Sequence, residues 1–252
     1  MKHFLIPALV AIPVATLSEA QIFYSGGLGT SMASQGWAYQ ATTVPSGGTP
    51  LATTGFSGGA TVNNTTGAMS DRAGWALGRT IAPTFPVLDN AVGYSVAVEL
   101  SLASESHISN DRAGLSWITM GSDGFGLELG FHEGSVWAQG TTPTVFTHAE
   151  TATLDTSVRD TYTLSVSGLN YTLSNSGGVL LAGALRNYAA AGATPIPYAA
   201  FQNYVFLGDN TAEAQAAYSI YSVAVVPEVP QGATIAGILA LPALWFLKRV
   251  RR

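Results

Sequence analysis

The chain has 252 residues and a net charge of -5; 47% of its residues are hydrophobic and only 10% are charged, against a usual charged share of about 25%. That length suits one sandwich-sized domain. The absence of cysteine excludes a disulfide scaffold, a Cys-ligated zinc site, an iron–sulfur cluster and a thiol nucleophile, and the acidic balance lacks the footprint of a nucleic-acid binder.

The N-terminus opens with the basic Met1-Lys2-His3, continues apolar from Phe4 to Leu17, and closes on Ser18-Glu19-Ala20. That order predicts a signal peptide over 1–20, cut between Ala20 and Gln21 by signal peptidase. Pro7 and Pro13 argue against a buried helix of the domain.

Residues 21–226 carry thirteen acids against five arginines and no lysine, so Ser, Thr, Asn, Gln and Gly supply the polar surface. Their hydrophobic period is two. Residues 40–67, rich in Thr, Gly, Asn and Ser, read as turns with short early strands. Strands are predicted over 94–102 and 113–120, and over 125–131, where Phe125, Leu127, Leu129 and Phe131 share one face. Glu133-Gly134 is placed as a two-residue hairpin turn into a strand over 135–139. Strands over 162–166 and 169–173 flank a second tight turn at Ser167-Gly168, and further strands follow at 179–182, 204–207 and 218–226. Only residues 184–191 read as locally helical, stopped by Gly192 and Pro195.

Many short antiparallel strands predict an all-β fold, an antiparallel β-sandwich of jelly-roll type, with an N-terminal signal helix and a C-terminal transmembrane helix outside it.

Few residues in this domain suggest chemistry. A retaining glucanase on such a sandwich needs two carboxylates about 5–5.5 Å apart, and no Glu-x-Asp-x-x-Glu run supplies them. Glu128 and Glu133 are at an odd spacing, which points them to opposite faces, and Glu133 belongs to the turn. His107 is expected in a loop, as a loop ligand at most. His132 is expected half-exposed on the face opposite the four apolar residues, and His148 is expected hydrogen-bonded to Glu150. The repeated Asp-Arg-Ala-Gly at 71–74 and 111–114 reads as structural: aspartate accepts turn amides and arginine pairs with a carboxylate such as Glu128 or Glu105. Carbohydrate contact through Asp, Arg and a nearby Trp is the other reading. Asp209-Asn210 reads as an Asx turn rather than a Ca²⁺ site. Trp117 and Trp137 are placed in the core and Trp37 is the candidate for an exposed indole. No catalytic residue, metal ligand or cofactor site is assigned.

The tail over 227–252 is the more specific signal. Pro227, Glu228, Val229 and Pro230 are followed by an apolar run over 232–247, and Lys248, Arg249, Arg251 and Arg252 dominate the end. As a helix the run spans about 24 Å, a little short of a hydrocarbon core of about 30 Å. The positive-inside rule places 248–252 in the cytoplasm. This tail resembles the PEP-CTERM sorting signal read by exosortases in bacteria that export exopolysaccharide, with Val229 where the family motif has proline. An unprocessed membrane anchor is the alternative. The blocks 105–107, 111–114, 126–131, 136–139, 146–150 and 206–211 look like the cargo domain of a group of PEP-CTERM proteins, similar in strand layout to concanavalin A-like lectins and laminin G modules. The resemblance implies a non-enzymatic surface or extracellular-matrix protein. It would be anchored in the inner membrane as a precursor, released by an exosortase-type protease to the cell envelope, with exopolysaccharide as a candidate partner and no nucleic acid. The alternative is a lectin-like module or glycan-active enzyme on the same sandwich.

Overall fold

Alternation of apolar and small or polar residues is what the strands are built from. Along 94–102, buried Tyr94, Val96, Val98, Leu100 and Leu102 alternate with half-exposed neighbours, because successive side chains point to opposite faces of a sheet. The computed structural model describes residues 20–142, 145–188, 190 and 202–227. The signal segment before Ala20, Glu228, Val229, Pro230 and the whole tail to Arg252 lie outside the described residues. Among the described residues no helix is long and apolar enough to cross a membrane.

The strands in chain order are β1 (Gln21–Ser25), β2 (Ala38–Thr43), β3 (Thr53–Ser57), β4 (Ala60–Asn64) and β5 (Asp71–Gly78). Then come β6 (Tyr94–His107), β7 (Leu115–Met120), β8 (Gly126–His132), β9 (Ser135–Gly140) and β10 (Thr147–Thr153). β11 (Asp160–Ser167), β12 (Asn170–Asn175), β13 (Gly178–Ala184), β14 (Tyr204–Asp209) and β15 (Ala214–Pro227) complete them. They pair antiparallel into two sheets. One runs β13-β12-β11-β6-β15-β4-β3, with β1 also on β15; the other runs β10-β9-β8-β7-β14-β5-β2. The fold is an all-β antiparallel sandwich of two sheets, as the period-two pattern requires.

The core lies between the sheets. Leu127, Leu129 and Phe131 of β8 enter it together with Val136 and Ala138 of β9 and Tyr162 and Leu164 of β11. Phe125 packs against the same cluster from a partly buried position just before β8. Glu133-Gly134 does form the β8–β9 turn, since His132 pairs with Ser135. The second turn sits one residue later than the sequence suggests. Ser167 pairs with Asn170, leaving Gly168 and Leu169 as its central residues, and Gly168 has φ +60, a left-handed value that a glycine takes without strain.

Other expectations are corrected. Trp37 is not an exposed indole: it is 4% exposed, and its Nε1 donates to the Phe23 carbonyl at 3.0 Å. Gly36, at φ 91, closes a single 3-10 turn and redirects the chain inward. The described part of 184–191 is not helical; β13 runs to Ala184 and Arg186 bridges to Gly126. His107 is the last residue of a fourteen-residue strand, not a loop residue, because β6 stays paired with β15 as far as His107↔Ala214.

Candidate functional site

The chemistry-bearing side chains gather on the outer face of the seven-stranded sheet. Register places Trp137, Gly130, Ser116, Gly208, Gly74 and Gln40 in one row across β9, β8, β7, β14, β5 and β2. Three glycines and a serine make the middle of that row a low floor. The missing side chains are used by neighbouring rings. A Cβ on Gly130 would lie 2.4 Å from the Trp137 indole, and one on Gly74 would lie 2.5 Å from the Phe206 ring. Both rings therefore lie flat over glycine backbone.

Polar groups border the floor. Glu128, buried in β8, accepts from Ser116 Oγ at 2.8 Å and from Asn210 Nδ2 at 3.0 Å. The Glu128 amide donates to the hydroxyl of the fully buried Tyr188 at 3.0 Å. Beyond Asn210 opens a pocket of about 400 Å³ whose lining includes Gln40, Thr42, Arg72, Tyr204, Phe206 and Asn210. The buried Nε of Arg72 has no hydrogen-bond partner among the described residues. Arg72 therefore brings a positive charge to the pocket lining, while its Nε–H is a buried orphan donor.

Asp209 backs this pocket. Its Oδ1 accepts the Thr211 amide at 3.1 Å, the expected Asx turn, and its Oδ2 accepts the Thr65 hydroxyl at 2.8 Å. Burial pushes its carboxyl well above the usual range, against the pull of Thr211, Thr65 and Arg72 and with Glu105 adding to the rise. A carboxyl raised on folding holds its proton more tightly in the folded chain. Its contribution to stability is present at acid pH and is lost as pH rises from the unfolded value of about 3.9 through the raised one. Asp209→Asn should therefore gain on the wild type as pH rises through that window. Thermal midpoints of the two proteins at acid and neutral pH check this, and a constant difference between them would contradict it.

A second cluster stands where strands of the two sheets come together. Glu105 and His107 from β6, His132 from β8 and His148 from β10 converge there. His107 Nδ1 lies 2.9 Å from Glu105 Oε2, and the rings of His107 and His132 stack at 4.0 Å and 12°. His132 Nε2 donates to the Arg112 carbonyl at 2.9 Å. His148 lies against the Trp137 ring at 3.9 Å and pairs with Asp111 at 3.1 Å. Burial, seconded by His107 and His148, lowers the His132 pKa, and burial raises that of Glu105.

Several sequence expectations meet their outcome here. His148 pairs with Asp111, not with Glu150, because register shifts in β10 between His148 and Thr151 and Glu150 instead bonds Arg186. Both Asp-Arg-Ala-Gly aspartates accept main-chain amides as expected: Asp71 takes those of Leu51 and Ala52, and Asp111 that of His148. The arginines do not pair with Glu128 or Glu105. Arg112 lies over the Phe146 ring at 4.0 Å and Arg72 borders the pocket. The glycines of the repeat serve close approach: a Cβ on Gly114 would come 2.2 Å from the Gln215 backbone. Trp137 is buried, but on the outer face rather than between the sheets. Ala20 is exposed, and Gln21 begins β1 opposite Val225. Sequence reasoning missed Ser116, Tyr204 and Phe206 as site residues, since each lies in an apolar or small-residue strand pattern that reads as core, and Tyr188, since it falls in the stretch read as helical.

No family model and no curated protein sequence matches the chain. Among solved structures it is similar to a carbohydrate esterase from the Shiga toxin-encoding bacteriophage phi24B, with TM-score 0.55, 13% identity, and 84% of this chain and 99% of that one covered. It is also similar to a sialidase, with TM-score 0.50 and 16% identity over 85% of this chain, although it spans only 19% of the sialidase. An alginate lyase A1-II' variant follows at TM-score 0.47 and 13% identity, covering 81% of this chain and 99% of that one. At such identities the likeness speaks to the fold, which is the jelly-roll sandwich. It also corrects the expectation of a non-enzymatic surface or matrix protein. The solved chain matched over nearly its whole length at TM-score 0.55 is a carbohydrate esterase, and the face described above carries a pocket rather than a featureless wall.

Proposed function

We propose that the chain is an exported glycan-active enzyme that binds a carbohydrate bearing an acidic group across the outer face of the seven-stranded sheet. The observation that carries this reading is the pocket of about 400 Å³, within the usual size range of small-molecule sites. In its lining the guanidinium-bearing Arg72 stands with Tyr204 and with Phe206, whose ring lies over Gly74. Aromatic faces take sugar rings, Arg72 takes a carboxylate, and Gln40, Thr42 and Asn210 take hydroxyls. Asp209 is the carboxylate of the pocket lining, and Glu128, outside it, holds the pocket residue Asn210 at 3.0 Å. The described pocket lining does not set two carboxylates side by side, so elimination and deacylation fit it better than two-carboxylate hydrolysis.

Export belongs to the same proposal. The sandwich, concanavalin A-like in this reading, is delivered through the inner membrane by the 1–20 signal. An exosortase-type protease then releases it near Pro227 and Glu228 to the cell envelope or the surrounding exopolysaccharide. The tail's order of Pro-Glu, apolar run and basic end supports this.

The test is turnover of acidic and neutral polysaccharides by the full chain. Reducing ends, unsaturated ends and released acyl groups are read separately. Activity on an acidic polymer is expected. Arg72→Ala should lower kcat/KM about tenfold or more, the worth of one charge-assisted hydrogen bond. Absence of turnover on every polymer, or an Arg72→Ala variant as active as wild type, overturns the reading.

A further inference from the structure

We infer that Glu105, His107 and His132 form a binding site for a divalent transition metal, best matched to Zn²⁺. One nitrogen of each ring and one carboxylate oxygen lie within 4.8 Å of one another, a spread that small side-chain movements close onto one ion. The donor set is two imidazoles and a carboxylate, which suits zinc rather than the all-oxygen preference of Ca²⁺ or Mg²⁺.

Hydrogen bonding around the rings points the same way. His132 Nε2 faces the Arg112 carbonyl at 2.9 Å, so that nitrogen carries the proton and Nδ1 keeps its lone pair. His107 has acceptors at both nitrogens: Glu105 Oε2 at 2.9 Å from Nδ1 and Asn110 Oδ1 at 3.3 Å from Nε2. A neutral imidazole donates only once. With Nε2–H given to Asn110, a metal between Nδ1 and the carboxylate replaces the shared proton there. Both rings then turn an Nε2–H outward to an oxygen acceptor, the hydrogen bond that orients a metal-bound histidine.

Charge supports the ion as well. The Glu105 side chain is 2% exposed, and Glu133 adds a second carboxylate, accepting the Glu105 amide at 3.1 Å. Among the described residues neither carboxylate forms an ion pair with arginine or lysine, and Arg112 is turned away onto Phe146. The stacked rings must part for both lone pairs to converge. His107, with a quarter of its side chain exposed, is the ring with room to tilt. Three protein ligands at a half-buried position leave a coordination place for water. The site is independent of the glycan proposal.

The experiment is titration of the chelator-stripped full chain with Zn²⁺ by calorimetry and with Co²⁺ by its visible absorption. One equivalent of saturable binding is expected. His107→Ala and His132→Ala should each abolish it. Asn110→Ala should weaken it about tenfold, as loss of the acceptor that orients a ligating ring does, and His148→Ala should leave it unchanged. Circular dichroism of each variant confirms folding. Should a histidine variant not fold, the wild-type measurement still decides: one equivalent of diamagnetic Zn²⁺ must shift the imidazole resonances of His107 and His132 more than those of His148, whose ring lies 5.8 Å from that of His132. No saturable binding to the wild type, or binding that survives His107→Ala and His132→Ala intact, overturns the site.

Discussion

Replacing Leu129 by alanine should cost about 2–5 kcal/mol of folding stability. Leu129 is fully buried at the middle of β8, opposite Trp117 of β7 and Ala138 of β9. Its side chain enters the layer shared with Phe131, Val136 and Tyr162. Truncation removes the transfer free energy of the isobutyl group and leaves a cavity. The walls cannot fill it, because the neighbouring strands are fixed by ladders on both sides of β8. Urea unfolding should show a lower midpoint at unchanged m-value. A cost below about 1 kcal/mol would mean that the position collapses freely, and the packing described for β8 would then be wrong.

A second large effect is expected from adding a single methyl group. A Cβ on Gly208 would come 2.4 Å from the Gly74 Cα and 2.7 Å from the Ala73 carbonyl oxygen. Those are backbone atoms of the paired strand β5, so no rotamer change relieves the clash; β14 and β5 must separate. Overpacking of this kind typically costs about 1–3 kcal/mol, and here the displacement also lifts the Phe206 ring, 2.8 Å from the same Cβ. Gly208→Ala should therefore lower the thermal midpoint and weaken carbohydrate binding together. Gly134→Ala, where a Cβ meets nothing within 4 Å, should do neither. Equal midpoints for the two variants would remove the case for a glycine floor.

Much of the fold could be read from the sequence because one physical rule governs it. Each core strand buries one face, so β6 and β8 display their period directly and Leu127, Leu129 and Phe131 fall where expected. β10 escaped prediction because its seven residues, Thr147–Thr153, are exposed or half-exposed throughout and carry no apolar stripe. The length of β6 was also hidden. Glu105-Ser106-His107 is polar and reads as loop, and only pairing with β15, more than a hundred residues later, keeps it extended.

The site was less legible than the fold. Arg72, Ser116 and Glu128 lie on three different strands and Asn210 just beyond a fourth, and they meet only through register, which a single sequence does not display. His107 and His132 come from different sheets of the sandwich, so no short spacing announces them. Glycines 74, 130 and 208 are informative only once the rings above them are placed.

The position of β15 has a mechanical consequence. This fourteen-residue strand lies inside its sheet, with β6 along one side and β4 and β1 along the other. Any pull on the chain beyond Pro227 enters along the strand axis, whereas the ladder hydrogen bonds run across it. Such a force must shear many bonds at once instead of unzipping them singly. Gln21, paired to Val225, lies at the same end of the strand, so a pull between the two ends of the domain would peel β1 away first and leave the β6–β15 ladder carrying the load.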